Sequence, residues 1–158
     1  CFNPQTHFYA DRLGDHPLNR RTICGFWPLI SEVATPERAA EIIRFLRDPA
    51  TFGRPCGIPT LPADDPDYLP ESGYARGPVW AHTNYMVLKG LLKYGEEKLA
   101  GELAARLYHA AETLWKITGT IWENYSPEQC RRPPERSCRD FCGWSALIPI
   151  TFYREFLR

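Results

Sequence analysis

The sequence predicts an all-α fold of helical hairpins joined by long ordered loops. Three long segments repeat apolar residues at the spacing of an amphipathic helix, and only a glycine and its neighbours separate the second segment from the third. Fifteen prolines and an aromatic fraction of 13% are high for a helical chain, and they favour ordered loops that carry aromatic side chains. At 158 residues the chain has the length of one domain with a modest core.

The first third of the chain combines a weak strand signal with two helix signals. Residues 1–22 alternate weakly around a Leu-Gly-Asp turn, which predicts a short β-hairpin or a coil. Residues 23–34 are strongly apolar and predict a short buried helix, in which Cys24 would be a small buried thiol. Residues 35–48 predict an amphipathic helix, because Thr35 is a good N-cap and apolar residues follow at helical spacing.

The second half predicts an antiparallel helical hairpin and one further helix. The hairpin comprises residues 79–94 and 96–118, and Gly119 closes its second helix. The further helix covers residues 143–158, where Pro149 should force a late start or a kink.

Two long loops lie between the predicted helices. Residues 49–78 contain seven prolines and no helical period, and a loop of that length within one domain is usually functional or disordered. Its proline and aromatic content favours order. Asp64, Asp65 and Asp67 in this loop could bind a cation or cap turns, and turn capping is the commoner use. Residues 126–142 form a second loop, which is basic and rich in proline.

Charge and hydropathy argue against two classes of partner. Nineteen Lys and Arg residues balance nineteen Asp and Glu residues, so no charge field indicates a nucleic acid or a membrane surface. The sequence contains no run of about 18 apolar residues, so it predicts no membrane span. The chain begins at Cys1 rather than at a methionine, which suggests a processed or truncated piece and leaves the compartment open.

The six cysteines do not follow the spacing of a metal site. No Cys-x-x-Cys pair occurs, which argues against structural zinc, and no other cofactor is indicated. Cys130, Cys138 and Cys142 are close enough in sequence for one loop disulfide if the chain is secreted.

The segment Thr-Ile-Trp-Glu-Asn-Tyr at 120–125 is the candidate catalytic element. Glu123 lies between Trp122 and Tyr125 and directly follows a long helix, where it would be poorly solvated beside flat apolar rings. Such a carboxylate suits a general acid or base that acts on a sugar. The alternative is a surface glutamate in a turn beside two core aromatic residues.

Further aromatic residues flank the helices on what should be the same rim of the molecule. Segment 73–80 carries Tyr74 and Trp80, and segment 141–144 carries Trp144. Aromatic faces stack on sugar rings, while Arg, Asn and carboxylate groups bind the hydroxyls. The alternative is an ordinary aromatic core beneath long loops.

Other catalytic signatures are missing from the sequence. It has no Gly-x-Ser-x-Gly, His-Glu-x-x-His, P-loop or Gly-x-Gly-x-x-Gly motif. The four histidines are dispersed, and His82, close to Trp80, is predicted to be a hydrogen-bonding rim residue rather than a base.

Five motifs follow one another along the chain. They are Gly-Phe-Trp-Pro-Leu (25–29), Ile-Pro-Thr-Leu-Pro-Ala-Asp-Asp-Pro-Asp-Tyr (58–68), Arg-Gly-Pro-Val-Trp-Ala-His-Thr-Asn-Tyr (76–85), Trp-Glu-Asn-Tyr-Ser-Pro (122–127) and Phe-Cys-Gly-Trp-Ser-Ala (141–146). In this order they resemble glycoside hydrolases of the family 63 type, which include processing α-glucosidases and mannosylglycerate-hydrolase-like enzymes and to which trehalases are more distantly related. The resemblance covers nearly the whole chain.

The resemblance implies that residues 1–158 form the C-terminal portion of an (α/α)6 toroid that hydrolyses an α-glycosidic bond in a small glycoside or oligosaccharide with inversion. Such enzymes use an acid and a base that lie about 6.5–9.5 Å apart. Glu123 would be the base. The residues that would bind the sugar are Tyr74, Arg76, Gly77, Trp80, Trp122, Tyr125 and Trp144.

This chain departs from the family pattern in three ways. The family's acid is an Asp upstream of everything that matches here, so the upstream part of the same toroid would have to supply it. Ala75 stands where the family has a Trp, and Pro149 interrupts a helix that the family keeps apolar. These departures keep open a non-catalytic carbohydrate-binding or interaction fragment. A terpene-cyclase-like toroid is a weaker alternative, because its acidic metal-binding motifs are absent.

Overall fold

A helical hairpin forms the centre of the computed structural model, which describes residues 1–158. Helix α3 (Ala81–Lys93) and helix α4 (Glu97–Thr118) pack against each other across a short connection, as the sequence predicts. The other α-helices are α1 (Trp27–Ile30), α2 (Pro36–Arg47) and α5 (Tyr153–Phe156). None of these helices has both the length and the apolar character that crossing a membrane requires.

The N-terminal residues form two small antiparallel sheets, so the all-α prediction is wrong for this part. Strand β1 (Phe2–Asn3) pairs with β2 (Phe8–Tyr9), and β3 (Arg12–Leu13) pairs with β4 (His16–Pro17). The hairpin alternative for residues 1–22 is therefore confirmed. The first sheet is fixed by burial, because the Phe8 ring lies in the core against other phenylalanine rings.

The apolar segment after these sheets forms less helix than predicted, and Cys24 is exposed rather than buried. A 3-10 turn over Ile23–Phe26 leads into α1. Residues three apart share one face of a 3-10 turn, so Ile23 and Phe26 enter the core and Cys24 faces outward. Gly25 is required here, because a Cβ atom would lie 2.2 Å from the Phe8 ring.

Helix α2 follows the sequence prediction closely. The Thr35 side chain accepts a hydrogen bond from the Arg38 amide at 3.4 Å and caps the helix. The helix ends at Arg47, just before the Asp-Pro pair that cannot continue it. Its inner face consists of four buried residues, Ala39, Ile42, Ile43 and Leu46.

Helix α3 begins two residues later than predicted, because Val79 belongs to a short extended ladder. Val79 forms isolated bridges with Pro59 on one side and Tyr125 on the other. Its amide donates to the Tyr125 carbonyl at 2.8 Å, and the Tyr125 amide donates back at 3.0 Å. This ladder joins the first long loop to the segment that follows α4.

A buried amide fixes the first long loop to α3. The Asn84 side chain accepts from the Ile58 amide at 2.9 Å and donates to the Ile58 carbonyl at 2.8 Å. At the same, open end of the hairpin Gly119 adopts φ +71° and terminates α4, which turns the chain into the segment 120–125. Both long loops are thereby directed to the same side of the α3–α4 hairpin.

The C-terminal segment is not the single helix that the sequence predicts. It consists of a 3-10 turn at Trp144–Ala146, a π-helical turn at Ile148–Phe152 and α5. Pro149 lies in the π-helical turn, where its missing N–H and its ring are incompatible with a regular α-helical ladder. The position of the interruption was therefore predicted correctly, but the π-helical turn that it takes was not.

Candidate active site

Glu123 is buried, with a relative exposure of 6%, and it is held by neutral hydrogen-bond donors. The Tyr74 hydroxyl donates to its Oε1 at 3.0 Å, and the Cys138 amide donates to its Oε2 at 3.4 Å. Glu123 takes part in none of the ion pairs of the chain. A carboxylate offers about four acceptor positions, so this one keeps capacity for a water or a substrate hydroxyl.

The backbone of Glu123 is fixed as tightly as its side chain. Its amide donates to the Cys138 carbonyl at 2.9 Å. Its carbonyl accepts from the Trp144 indole N–H and from the Ser145 hydroxyl, each at 3.1 Å. The second long loop and the C-terminal segment therefore both position this residue, which favours a precisely oriented carboxylate.

Tyr74 connects Glu123 to the first long loop. Its backbone has φ +52°, an unusual conformation for a large side chain and one that is often found at functional sites. The hydrogen bond to Glu123 and, to a smaller extent, burial and the Glu123 charge raise the pKa of Tyr74. The phenol therefore remains protonated and donates to the carboxylate at neutral pH.

A cluster of aromatic rings lies next to Tyr74 and Trp144, the two aromatic residues that donate hydrogen bonds to Glu123. Trp80 donates its indole N–H to the Tyr74 carbonyl at 3.1 Å, and the two rings meet edge to face at 4.9 Å. The centroid of the Trp144 ring lies 5.7 Å from that of Trp80 and 4.9 Å from that of His82. Trp80 is 8% exposed and Trp144 is 36% exposed, so Trp144 offers more of its ring to a ligand.

His82 lies beside both tryptophans, but its side chain makes none of the hydrogen bonds that the sequence analysis predicted for it. Its Nδ1 atom is buried and has no hydrogen-bond partner. Burial lowers the pKa of His82, so the imidazole is neutral at pH 7.

Arg76 and Gly77 lie in the same loop as Tyr74 but form no hydrogen bond with Glu123. The Arg76 side chain is exposed and forms no ion pair within the chain. Gly77 adopts φ +140°, and its amide donates to the Thr60 hydroxyl at 2.7 Å. A Cβ atom at Gly77 would lie 2.9 Å from the backbone of Pro70, so this glycine is needed to shape the loop.

Trp122 and Tyr125 flank Glu123 in sequence but are engaged elsewhere. The Trp122 indole donates to the Thr118 hydroxyl at 3.0 Å, at the end of α4. Tyr125 is 2% exposed, and burial raises its pKa to about 12. Tyr125 also lines an apolar groove of about 290 Å³. Their predicted contact with sugar stays a prediction.

Two contributors to the site could not be identified from residue types. Cys138 contributes its backbone amide and carbonyl, which no side-chain pattern reveals, and hydrogen bonding to Glu123 also raises the pKa of its thiol. Asn124 directly follows Glu123 and is fully buried, yet both polar atoms of its side chain lack a protein partner. In the sequence, the only indication of a role for Asn124 was its position next to Glu123.

The aspartates of the first long loop form ion pairs. Asp64 pairs with Arg21, and both Asp65 and Asp67 pair with Arg20. The Asp65 carboxylate also accepts from the Asp67 amide at 2.9 Å, as in a turn. No group of three or more His, Cys, Asp or Glu side chains has a geometry that could hold a metal ion.

The family model for the mannosylglycerate hydrolase MGH1-like glycoside hydrolase domain matches residues 1–141. The chain belongs to this glycoside hydrolase family. This finding confirms the resemblance to family 63 enzymes that the sequence motifs indicated.

Known relatives of the chain are considerably longer. Mannosylglycerate hydrolase MGH1 of Selaginella moellendorffii is 38% identical over 122 residues, which is 74% of this chain but only 22% of the relative. The GH63 mannosylglycerate hydrolase from Thermus thermophilus, solved with glucose, is 26% identical with a TM-score of 0.77. That match covers 97% of this chain and 34% of the solved one.

The fold likeness extends to a trehalase. Neutral trehalase Nth1 from Saccharomyces cerevisiae has a TM-score of 0.71 at 17% identity, over 96% of this chain and 27% of the trehalase. At this identity the likeness concerns the fold alone. It agrees with the predicted helical hairpins, whereas the two small sheets remain the exception to an all-α fold.

Proposed function

We propose that residues 1–158 are the C-terminal portion of an (α/α)6 catalytic domain that hydrolyses an α-glycosidic bond with inversion, and that Glu123 is its general base. The observation that carries the proposal is the environment of Glu123: a buried carboxylate without a cationic partner, hydrogen-bonded by Tyr74, whose ring belongs to an aromatic cluster with Trp80. Its family membership supports the same class of reaction.

The geometry suits removal of a proton from water. As the C–O bond to the leaving group breaks, Glu123 takes one proton from the water that attacks the anomeric carbon from the opposite face. The Tyr74 hydroxyl and the Cys138 amide occupy one acceptor position on each carboxylate oxygen, so they orient the group without neutralising it. The general acid, about 6.5–9.5 Å away, would come from the upstream part of the toroid.

The aromatic rings beside Glu123 suit a pyranose ring. Trp144 is the more accessible face, while Trp80 supports it and contacts Tyr74. Arg76 is exposed in the same loop and can reach hydroxyl or carboxylate groups of a small substrate. Mannosylglycerate, the substrate named for MGH1-type relatives, combines both kinds of group and is the first substrate to test.

We also propose that the remaining helices of the toroid cover the apolar groove on α4. Trp115 and Ile117, near the C-terminal end of α4, are each 54% exposed, which is unusual for large apolar side chains. The solved relative extends well beyond the matched part. The groove is lined by Tyr108, Ala111, Glu112, Trp115, Ile121, Tyr125, Ile148 and Pro149.

The decisive experiment is Glu123→Gln in the intact protein that carries this chain. With mannosylglycerate and a panel of α-glucosides as substrates, we expect kcat to fall about 10²- to 10⁴-fold with little change in KM. Proton NMR of the first product should show the β-anomer for the unmodified protein. Glu102→Gln, an exposed glutamate of α4 without an ion pair, is the matched control and should leave kcat unchanged.

Two outcomes would contradict this assignment. If Glu123→Gln kept full activity, another residue would be the base. If calorimetry detected sugar binding but the unmodified protein turned over none of these substrates, the alternative of a non-catalytic carbohydrate-binding module would be favoured.

A further inference from the structure

Two cysteines from the two long loops lie next to each other. The Sγ atoms of Cys56 and Cys130 lie 2.7 Å apart, although the residues are 74 positions apart in sequence. A formed disulfide would bring them to about 2.0 Å. The two sulfurs are not bonded to each other in the structure. The sequence had instead grouped Cys130 with Cys138 and Cys142, which are both exposed.

Contacts on either side hold the two sulfurs together. The Cys56 amide donates to the Pro127 carbonyl at 3.0 Å. Two residues before Cys56, the Arg54 guanidinium forms a two-pronged ion pair with Glu128, in which Nε lies 2.9 Å from Oε1. The approach of the two thiols is therefore fixed by independent interactions between the loops, rather than by a chance rotamer.

We propose that Cys56 and Cys130 form a disulfide by exchange with a small-molecule disulfide such as oxidised glutathione, and that this bond clamps the two long loops together. The proposal does not depend on hydrolase activity. Its structural consequence is that the first long loop, which carries Tyr74, becomes covalently joined to the second long loop, which follows the segment of Glu123.

The exchange proceeds in two balanced steps. The Cys130 thiolate, which is half-buried, attacks one sulfur of oxidised glutathione, forms a mixed disulfide and releases one glutathione thiolate. The Cys56 thiolate then attacks Cys130 Sγ and expels the second glutathione. The protein loses two protons and two electrons, and these reduce oxidised glutathione to two molecules of the thiol.

The environment of Cys56 assigns the order of these steps. Cys56 is buried, and burial, followed by its contact with Cys130, raises the pKa of its thiol. It is therefore a poor first nucleophile towards a bulky reagent in solution, but it faces its partner sulfur directly once Cys130 has reacted.

The first test combines mass spectrometry with thermal unfolding. The full chain is incubated in oxidised or in reduced glutathione, its free thiols are blocked, and it is digested without reduction. We expect one cross-linked peptide pair joining Cys56 to Cys130 in the oxidised sample. Because the bond closes a long loop, we also expect Tm to be about 5–10 °C higher in that sample.

Variants distinguish this bond from other oxidation. Cys130→Ser should abolish both the cross-link and the Tm difference, and Cys56→Ala should do the same independently. Cys142→Ser and Cys24→Ser, both at exposed positions, are the controls and should retain both effects. Pairing of Cys130 with Cys138 or Cys142, a mixed disulfide that never resolves, or equal Tm values in the two buffers would each overturn the proposal.

Discussion

Glu123 and Glu128 lie only five residues apart in the sequence, yet their electrostatic surroundings are opposite. The negative charge of Glu128 is compensated, because the Arg54 guanidinium binds both carboxylate oxygens and the Tyr68 hydroxyl donates to one of them. Glu123 has only the neutral donors Tyr74 and Cys138. A carboxylate bound on both oxygens by a cation can fix a loop, whereas one held by one neutral donor on each oxygen keeps acceptor positions for a water or a substrate hydroxyl.

The largest expected effect separates the two carboxylates by function. Glu123→Gln should remove most of kcat, whereas Glu128→Gln should leave kcat within about twofold. Glu128→Gln should instead lower the free energy of unfolding by about 1–2 kcal/mol, because the Arg54 charge loses its partner. Parallel kinetics and urea unfolding of both variants measure this contrast. A large loss of kcat in Glu128→Gln would show that the two regions are not functionally separate.

The next effect tests whether neutral donors prepare Glu123 for catalysis. Tyr74→Phe keeps the ring against Trp80 but removes the hydroxyl that donates to Oε1. We expect kcat to fall about three- to tenfold, which corresponds to about 1 kcal/mol, with little change in KM. Steady-state kinetics across pH measures it. The control is Tyr85→Phe, which removes a tyrosine hydroxyl that is hydrogen-bonded to Glu155 rather than to Glu123. This variant should leave kcat unchanged. Trp80→Phe is a poor control, because it alters the packing against Tyr74.

The contrast also explains what could be predicted from the sequence. Helix α2 and the α3–α4 hairpin were predictable, because propensity, capping and apolar spacing agree within each segment. Glu123 was found from its aromatic neighbours and the family motifs. Its donors come from Tyr74 and Cys138, 49 and 15 residues away, and such long-range contacts leave no local pattern.

Two local predictions failed because the structure contains features that a helical period does not show. Helix α3 starts at Ala81 because Val79 pairs with Tyr125, and a helical period does not reveal that ladder. Cys24 is exposed because a 3-10 turn, not an α-helix, sets which residues face the core. In each case a tertiary contact or a tighter turn outweighed the local signal.

The smallest effect concerns the pH dependence of stability at Glu128. Burial alone would raise the pKa of Glu128, but the hydrogen bonds from Arg54 and Tyr68 and the Arg54 charge outweigh it and lower that pKa below its ordinary value. A carboxyl group with a depressed folded-state pKa stabilises the protein fully above its unfolded pKa of about 4.3. That stabilisation is lost as the pH falls through the lower, folded-state value.

We therefore expect the stability difference between the unmodified protein and Glu128→Gln to be constant from about pH 5 to 7 and to shrink below about pH 4. Urea unfolding at half-unit pH steps measures it, with Glu102→Gln as the control whose difference stays near zero. A difference that persisted unchanged at pH 3 would show that Glu128 contributes through packing rather than through its charge. The contrast with Glu123 would then rest on catalysis alone, since the cation at Glu128 would no longer account for its role in stability.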